Sequence, residues 1–502
     1  MNFKKEIRTE AVLLCCTLIL CFLNVGTSPV IHAITADSAL FVTMGRAVTF
    51  GKVLYRDNFD HKGLYIFLVN ALGAWIQGTG LTGHFLVETA VLCIDALLVY
   101  RICRFWLTEK QSLFAAVMFM AFGTNYFVFL AGNIVEEYAL PFQLYSLFLI
   151  IRYLQNDSEP HSYKEMFLHG ICGGFCFWLR ANLILMWAPF AILVLCRELR
   201  EKRGINALKN ILYGLSGLLV ISLPVLFYGM VFNCMDEMIY GTFTFNFQYT
   251  GAHGSGFLGN LLSTLLVPYE APLFLFCLLS SAVLWKKKAS VFSLSLFALM
   301  FFFCFFAASL SGRAYWQYYT YLLPFTIPFF AWLSKTLSDM KFPIPLGLVL
   351  VLLGGIGLGL VFPARILALF FDRKVTIYEK CREDYETCAR LKQEYYLSSN
   401  QVLVTGGNSQ FYMEMNTVPE LRYPFALSMS YEEFPDPYEE QLSSILQGKD
   451  DVVILVNESY DKEKIEPIYE GLMETEVNKA LDMYYRLVYT GETTGTRMFV
   501  RK

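Results

Sequence analysis

The chain has 502 residues, with 43 acidic and 40 basic side chains and a formal net charge of −3, a balance that suggests no nucleic-acid partner. Hydrophobic residues make up 56% and aromatic residues 16%, while only 17% are charged, against about 25% in a soluble domain. That balance excludes an ordinary soluble globular protein and reads as an α-helical polytopic membrane protein whose first partner is the lipid bilayer.

In chain order, a basic start (Lys4, Lys5, Arg8) precedes an apolar run over 11–30. About twenty apolar residues is span length and longer than a signal-peptide core, so this segment is expected to be a retained signal anchor. Candidate spans follow the hydropathy: 9–31, 82–106, 111–131, 137–154, 167–181, 183–197, 208–232, 268–285, 290–310, 317–334 and 343–362. The pair 167–181 and 183–197 is short for spans and reads as broken or tilted. Residues 64–78 are apolar but also short.

The positive-inside rule arbitrates the topology. With the N-terminus cytoplasmic and 64–78 lying at the outer surface, Arg101, Arg104, Lys110, Arg197, Arg200, Lys202, Arg203 and the triplet Lys286, Lys287, Lys288 all face the cytoplasm. The long loop 233–267, free of Lys and Arg, faces out. Making 64–78 a span inverts every later loop. The expectation is about eleven spans in a plasma (inner) membrane, a first outer loop over 34–81, and an extracytoplasmic C-terminus.

After Pro363 the composition becomes charged. Strand-like runs at 401–405, 451–456 and 486–489 alternate with helix-like stretches at 373–397, 437–447 and 461–480. This predicts two domains: a transmembrane domain over 1–363, and a small α/β domain with a partly parallel sheet over 364–502. Gly406-Gly407 after the first of these runs reads as a tight turn, since the full Gly-x-Gly-x-x-Gly pattern is absent. Of the 13 cysteines most lie in apolar runs, and no Cys-x-x-Cys pair occurs. Cys381 and Cys388, seven apart on one predicted helix, are about 10 Å apart, too far for a disulfide.

Chemistry-bearing residues collect on the predicted outer side. Asp37 stands at the outer end of the first hydrophobic helix, where an ionisable group is costly to hold and marks a functional site. The loop behind it carries Arg46, Lys52, Arg56, Asp57, Asp60, His61 and Lys62. The next outer segment carries Asn133, Glu136 and Glu137. Arg180 and Asn182 sit between the two short spans, and Arg313, Tyr315, Gln317, Tyr318 and Tyr319 precede the span 317–334. Carboxylates can accept a proton from an acceptor hydroxyl or hold a divalent ion, and arginine forks match phosphate. Simpler roles exist for each: a helix cap for Asp37, turn formation for Asp57 and Asp60, an interfacial belt for the tyrosines.

The order of these features resembles the GT-C superfamily of membrane glycosyltransferases that use polyprenyl-phosphate sugars, nearest to the bacterial protein O-mannosyltransferase and aminoarabinose transferase members of the family-39 kind. Carrying the resemblance are Asp37 after the first helix, the segment Gly51-Lys52-Val53-Leu54-Tyr55-Arg56-Asp57-Asn58-Phe59-Asp60-His61-Lys62-Gly63, an acid opening the fourth span (Glu136 or Glu137), and the stretch from Arg313 to Pro324. Gly63 stands where many relatives have proline, and Gln317 where histidine is expected.

The resemblance implies Asp37 as general base and inversion at the anomeric carbon. It further implies substrate contacts by Arg56, Asp60, Lys62, Glu136, Glu137, Arg180, Arg313 and Tyr318. The donor is then a polyprenyl-phosphate-linked sugar, the acceptor a cell-envelope glycan, lipid or protein, and a divalent metal ion stays open as cofactor. Two rival readings carry other expectations: a lipid-linked oligosaccharide flippase, which places polar residues at mid-membrane, and a non-catalytic envelope assembly protein acting through its terminal domain.

Overall fold

A computed structural model of the protein describes residues 3–155, 159–251, 271–287, 289–310, 315–357, 377–395, 401–424, 431–457 and 471–502. The first helix, α1 (Phe3–Asn24), stops earlier than the apolar run over 9–31 suggests. Gly26-Thr27-Ser28-Pro29 follows. The Gly26 amide donates to Ala131 O at 2.7 Å, Ser28 Oγ donates to Phe22 O at 2.7 Å, and Pro29 has no N–H to extend the ladder. Asp37 therefore does not close the first helix. It lies in the first turn of a second one, α2 (Ala36–Thr49), whose N-cap Thr35 accepts the Ser38 N–H at 3.3 Å. A carboxylate there also meets the positive end of the helix dipole.

The first outer segment 34–81, whose stretch after Asp37 was expected as polar and aromatic loop, thus holds α2, and its apolar run 64–78 forms the short helix α3 (Leu64–Ile76). At about 1.5 Å per residue α3 measures about 20 Å, shorter than a hydrocarbon core of about 30 Å. α2 and α3 approach closely because Gly45 has no side chain; a Cβ there would lie 2.5 Å from the Asn70 carbonyl carbon.

The bundle continues with α4 (Thr82–Cys103), α5 (Glu109–Gly123), the single turn α6 (Tyr126–Phe129), α7 (Val135–Gln155), α8 (Tyr163–Leu179), α9 (Trp187–Arg200) and α10 (Gly204–Val231). Helices Ala271–Lys286, Val291–Ser309, Ile327–Asp339 and Ile344–Gly357 complete it. The expected break between 167–181 and 183–197 falls at Arg180, which is extended (φ −160°, ψ 122°) and leads into the 3-10 turn Ala181–Met186. The span expected over 317–334 likewise starts as a 3-10 stretch, Trp316–Thr326, before its α-helix. Among the described residues, Ala181–Arg200, Gly204–Val231 and Val291–Ser309 are long and apolar enough to cross a bilayer. α8 and α10 pack through glycines: a Cβ on Gly170 would sit 2.1 Å from Gly214 O, and one on Gly217 2.1 Å from Phe167 O.

The C-terminal part forms a four-stranded sheet in the order β1-β2-β4-β3, with β1 (Val402–Thr405), β2 (Val452–Leu455), β3 (Tyr485–Thr490) and β4 (Arg497–Arg501). β1 and β2 run parallel with Val402 opposite Val452, while β4 is antiparallel to both neighbours. The partly parallel sheet was expected; β4 was not. Both faces are covered, one by helix Ile377–Glu394 and the other by Asp436–Gln447 and Gly471–Tyr484. The helix over 437–447 ends at Gly448 in the left-handed conformation, φ +60°. Cys381 and Cys388 are both buried and free.

This domain docks on the segment that carries Asp37. Thr43 Oγ1 donates to Ser409 O (3.3 Å), Asn58 Nδ2 to Pro419 O (3.1 Å) and Leu421 O (2.9 Å), and the Phe59 amide to Arg422 O (2.6 Å). Arg46 bonds Asn416 and Lys52 pairs with Glu420. Phe59, fully buried, packs against Tyr240, Phe245 and Tyr423.

Candidate active site

Four of the residues singled out from sequence meet at the end of the bundle next to this domain. Asp37 opens α2, Glu136 opens α7, Arg180 is the extended residue after α8, and Tyr318 comes from the 3-10 stretch Trp316–Thr326. Arg180 Nη2 lies 2.5 Å from Glu136 Oε1. Its Nε–H donates to Asn182 Oδ1 at 3.1 Å, and its guanidinium carbon stands 4.2 Å from the centre of the Tyr318 ring. Asn182 is itself fixed by donating to Ala307 O at 2.7 Å. Asp37 lies within electrostatic range of both Glu136 and Tyr318. With Glu136 2% and the Arg180 side chain 13% exposed, the ion pair is nearly buried, where its geometry counts most.

Gln317 completes the cluster: its Nε2 approaches Asp37 Oδ2 at 3.5 Å. The residue that departs from the expected histidine therefore stands beside the expected base. An amide can orient a carboxylate by hydrogen bonding but cannot take its proton.

Lys62 lies at the margin of the cluster. Its Nζ stands 5.8 Å from the centre of the Phe41 ring, one helical turn after Asp37. Asp60, fully buried, holds it there: Asp60 Oδ1 accepts the Lys62 N–H at 2.9 Å and lies 3.7 Å from Lys62 Nζ, while His61 Nε2 is 3.1 Å from the same Nζ. Gly63 then donates its N–H to Leu179 O at 3.0 Å, laying this turn beside Arg180.

Arg56 is placed elsewhere. It pairs with Asp57 at 2.8 Å, donates to Phe232 O at 3.1 Å, and is largely exposed. Its hydrogen bond holds the Asp57 carboxyl below the usual range. Arg313 lies outside the described residues.

Glu137 follows Glu136 by about 100° around the helix and so faces another way. It points inward to Glu88 of α4, and both carboxylates accept the same amide, the Asn133 N–H, at 2.7 Å and 2.8 Å. Glu88 also accepts the Thr27 hydroxyl. The turn that offers this amide is entirely left-handed: Leu130 (φ +49°), Ala131 (+76°), Gly132 (+82°) and Asn133 (+52°). Non-glycine residues pay about 1–2 kcal/mol each for that conformation, so the surrounding contacts must hold the turn. Glu88 was not singled out from sequence, although the rule applied to Asp37 covers an acid inside the apolar run 82–106. Asp95 in the same run is fully buried.

Among the described residues no three His, Cys, Asp or Glu side chains are grouped to hold a metal ion. Near Asp37 the other carboxylate, Glu136, already neutralises Arg180. Among the described residues, the carboxylates of this cluster do not by themselves form a metal-ligand set.

This arrangement, a helical bundle with an acid opening a short helix beside it and a small α/β domain docked at the same end, is a fold already seen in a solved membrane-protein structure. It aligns with ArnT from Cupriavidus metallidurans, solved with undecaprenyl phosphate, at a TM-score of 0.61 and 11% identity, over 99% of this chain and 98% of that one. It also aligns with the archaeal oligosaccharyltransferase AglB from Archaeoglobus fulgidus, solved with an inhibitory peptide and a dolichol-phosphate, at a TM-score of 0.45 and 13% identity, over 100% of this chain and 75% of that one. No curated protein matches the sequence. The chain belongs to the family described as "Putative competence-induced protein Ccs4 N-terminal domain", which matches residues 2–340.

Proposed function

We propose that the protein is a membrane glycosyltransferase that moves a sugar from a polyprenyl-phosphate carrier to a cell-envelope glycan, lipid or protein. The observation that carries this reading is the meeting of Asp37, Gln317, Arg180, Glu136 and Tyr318 at one end of a GT-C fold. The bound undecaprenyl phosphate of the ArnT structure supplies the carrier class.

In this reading Asp37 takes the proton of an acceptor hydroxyl as its oxygen attacks the anomeric carbon. The bond from that carbon to the phosphate oxygen breaks on the opposite face, inverting the centre, and the polyprenyl phosphate leaves without being protonated. Gln317 orients the Asp37 carboxylate. Arg180, held by Glu136 through Nη2 and by Asn182 through Nε, presents Nη1 to the phosphate, with Lys62 as a second cation. Burial strengthens these contacts. No step is routed through a metal ion. The domain over 1–363 performs the transfer on the extracytoplasmic side, and the domain over 364–502 borders the acceptor's approach.

The test is mass spectrometry of lipid-linked sugars and envelope glycans in a deletion strain complemented with wild type or Asp37→Asn at equal expression. A carrier-linked sugar that accumulates with Asp37→Asn, together with the same sugar missing from a glycan, is the expected result. A wild-type profile from Asp37→Asn would sink the reading.

A further inference from the structure

Asn133 bonds to both turns that bear the two acids of the cluster. Its Nδ2 donates to Ser38 Oγ at 2.8 Å, and Ser38 directly follows Asp37 in the first turn of α2. Its backbone N–H donates to Glu137 Oε2 at 2.7 Å, and Glu137 directly follows Glu136 in the first turn of α7. The same Nδ2 reaches Asn70 Oδ1 of α3 at 3.0 Å, and the Asn133 Oδ1 accepts the Tyr138 hydroxyl at 2.9 Å. Asn133, Ser38, Glu88 and Glu137 are all fully buried.

Only asparagine meets these demands together. Aspartate lacks the two amide hydrogens, glutamine is longer by a methylene, and asparagine tolerates the left-handed backbone found here. The preceding Gly132 is needed for space as well as conformation, because a Cβ there would lie 1.9 Å from Glu88 Oε1. Two buried anions converging on one N–H repel, and a single proton shared by the pair would relieve that repulsion while leaving one negative charge on the Asn133 amide.

We propose that Asn133, gripped by the Glu88–Glu137 acid pair, is a positioning residue that sets where Asp37 stands relative to Glu136. This rests on the proposed transfer reaction. It gives Glu137 a part in holding the site rather than in touching substrate, and adds Glu88 and Ser38, which carry no such part on sequence grounds.

The test uses the full chain in nanodiscs, with the carrier-lipid fraction extracted from Asp37→Asn cells as the donor probe. Ser38→Ala removes the link to the Asp37 turn with the least disturbance. It is expected to lower kcat about 10- to 100-fold, as a misplaced base does, while KM for the donor and the unfolding temperature stay unchanged. Asn133→Ala and Glu137→Ala should lower kcat at least as far. Glu137→Gln, which still accepts the Asn133 N–H and can donate to Glu88 as a protonated acid would, should restore it. Infrared difference spectra at neutral pH should show a protonated buried carboxyl that disappears in Glu137→Gln and in Glu88→Gln.

A wild-type kcat in Ser38→Ala alongside an inactive Asp37→Asn overturns the positioning role alone, as does a Glu137→Gln enzyme no better than Glu137→Ala. Absence of the infrared band in the wild type overturns the shared proton. Normal transfer by Asp37→Asn overturns the parent reaction itself, whatever Ser38→Ala does.

Discussion

The amide of Gly63 donates to the carbonyl of Leu179 at 3.0 Å, and this one hydrogen bond lays the turn of Lys62 along the residue that precedes Arg180. A Cβ at position 63 would stand 2.0 Å from Trp178 O, a main-chain atom that cannot swing aside. Gly63→Ala is expected to destabilise by about 1–3 kcal/mol, the usual range for forced overpacking. Gly63→Pro loses the hydrogen bond as well and should unfold at a lower temperature still. Thermal unfolding in detergent checks the order; a proline variant as stable as wild type would refute it.

Arg180 and Glu136 are nearly buried partners. Arg180→Ala strands the carboxylate, a change that costs about 3–5 kcal/mol when a buried pair is broken from one side. Arg180→Lys keeps the charge but loses the Nε–H bond to Asn182 and the flat contact with Tyr318, and should fall between. Arg180→Ala combined with Glu136→Gln should regain stability without regaining transfer. Unfolding temperatures and the sugar profile of complemented cells are the two readouts. Recovery of transfer in the double variant would deny Arg180 its phosphate role.

Phe59 is the buried centre of the aromatic contact between the first segment and the terminal domain. Phe59→Ala should cost about 3–5 kcal/mol. The loss should appear as faster hydrogen exchange in β1 and over 410–424, with the far helices Ala271–Lys286 and Val291–Ser309 unchanged. Uniform acceleration across the chain would mean that Phe59 supports the whole fold rather than this joint.

The terminal domain should lose stability as pH rises from the acid side. Burial pushes the carboxyls of Asp384, Asp450 and Glu414 above their ordinary range. A raised carboxyl binds its proton more tightly folded than unfolded, so its contribution is whole below the ordinary value of about 4 and is lost as pH climbs through the raised one. Asp384 accepts Tyr489 Oη–H at 2.8 Å and Thr494 Oγ1–H at 2.7 Å, tying helix Ile377–Glu394 to the β3–β4 hairpin. Asp384→Asn cannot ionise. The protection of that hairpin in wild type relative to Asp384→Asn should therefore shrink as pH rises from about 4 through the raised value of Asp384. A difference that grows with pH would reverse the assignment.

The charges at apolar boundaries make much of the cluster legible from the amino-acid order alone. Asp37, Glu136, Arg180 and Tyr318 lie far apart in sequence and meet in space. Gln317 was legible only as a departure, and its amide stands next to Asp37. Arg56 was not brought to the cluster among these contacts, because an arginine beside an aspartate in a polar loop can satisfy itself locally. Glu88, Ser38 and Asn70 stayed hidden: single polar residues in apolar helices announce no partner, and their meaning comes from a left-handed turn that periodicity does not encode. Within 34–81 the apolar run 64–78 was legible as a short helix, whereas α2 was missed because the polar residues around Asp37 and after Phe50 made the whole stretch read as loop. β4 was missed because Arg497 and Arg501 bracket its three buried residues and make an interior strand read as a polar tail.

The joint between the terminal domain and the segment bearing Asp37 is built largely on main-chain carbonyls, those of Ser409, Pro419, Leu421 and Arg422. Carbonyls are common to every residue type, so the side chains of that docked strip other than Asn416, Glu420 and Tyr423 are free to diverge while the register stays put. A terminal domain borrowed from a distant homologue should seat in the same orientation, which makes chimaeras a practical way to exchange whatever that domain recognises while leaving α2 undisturbed.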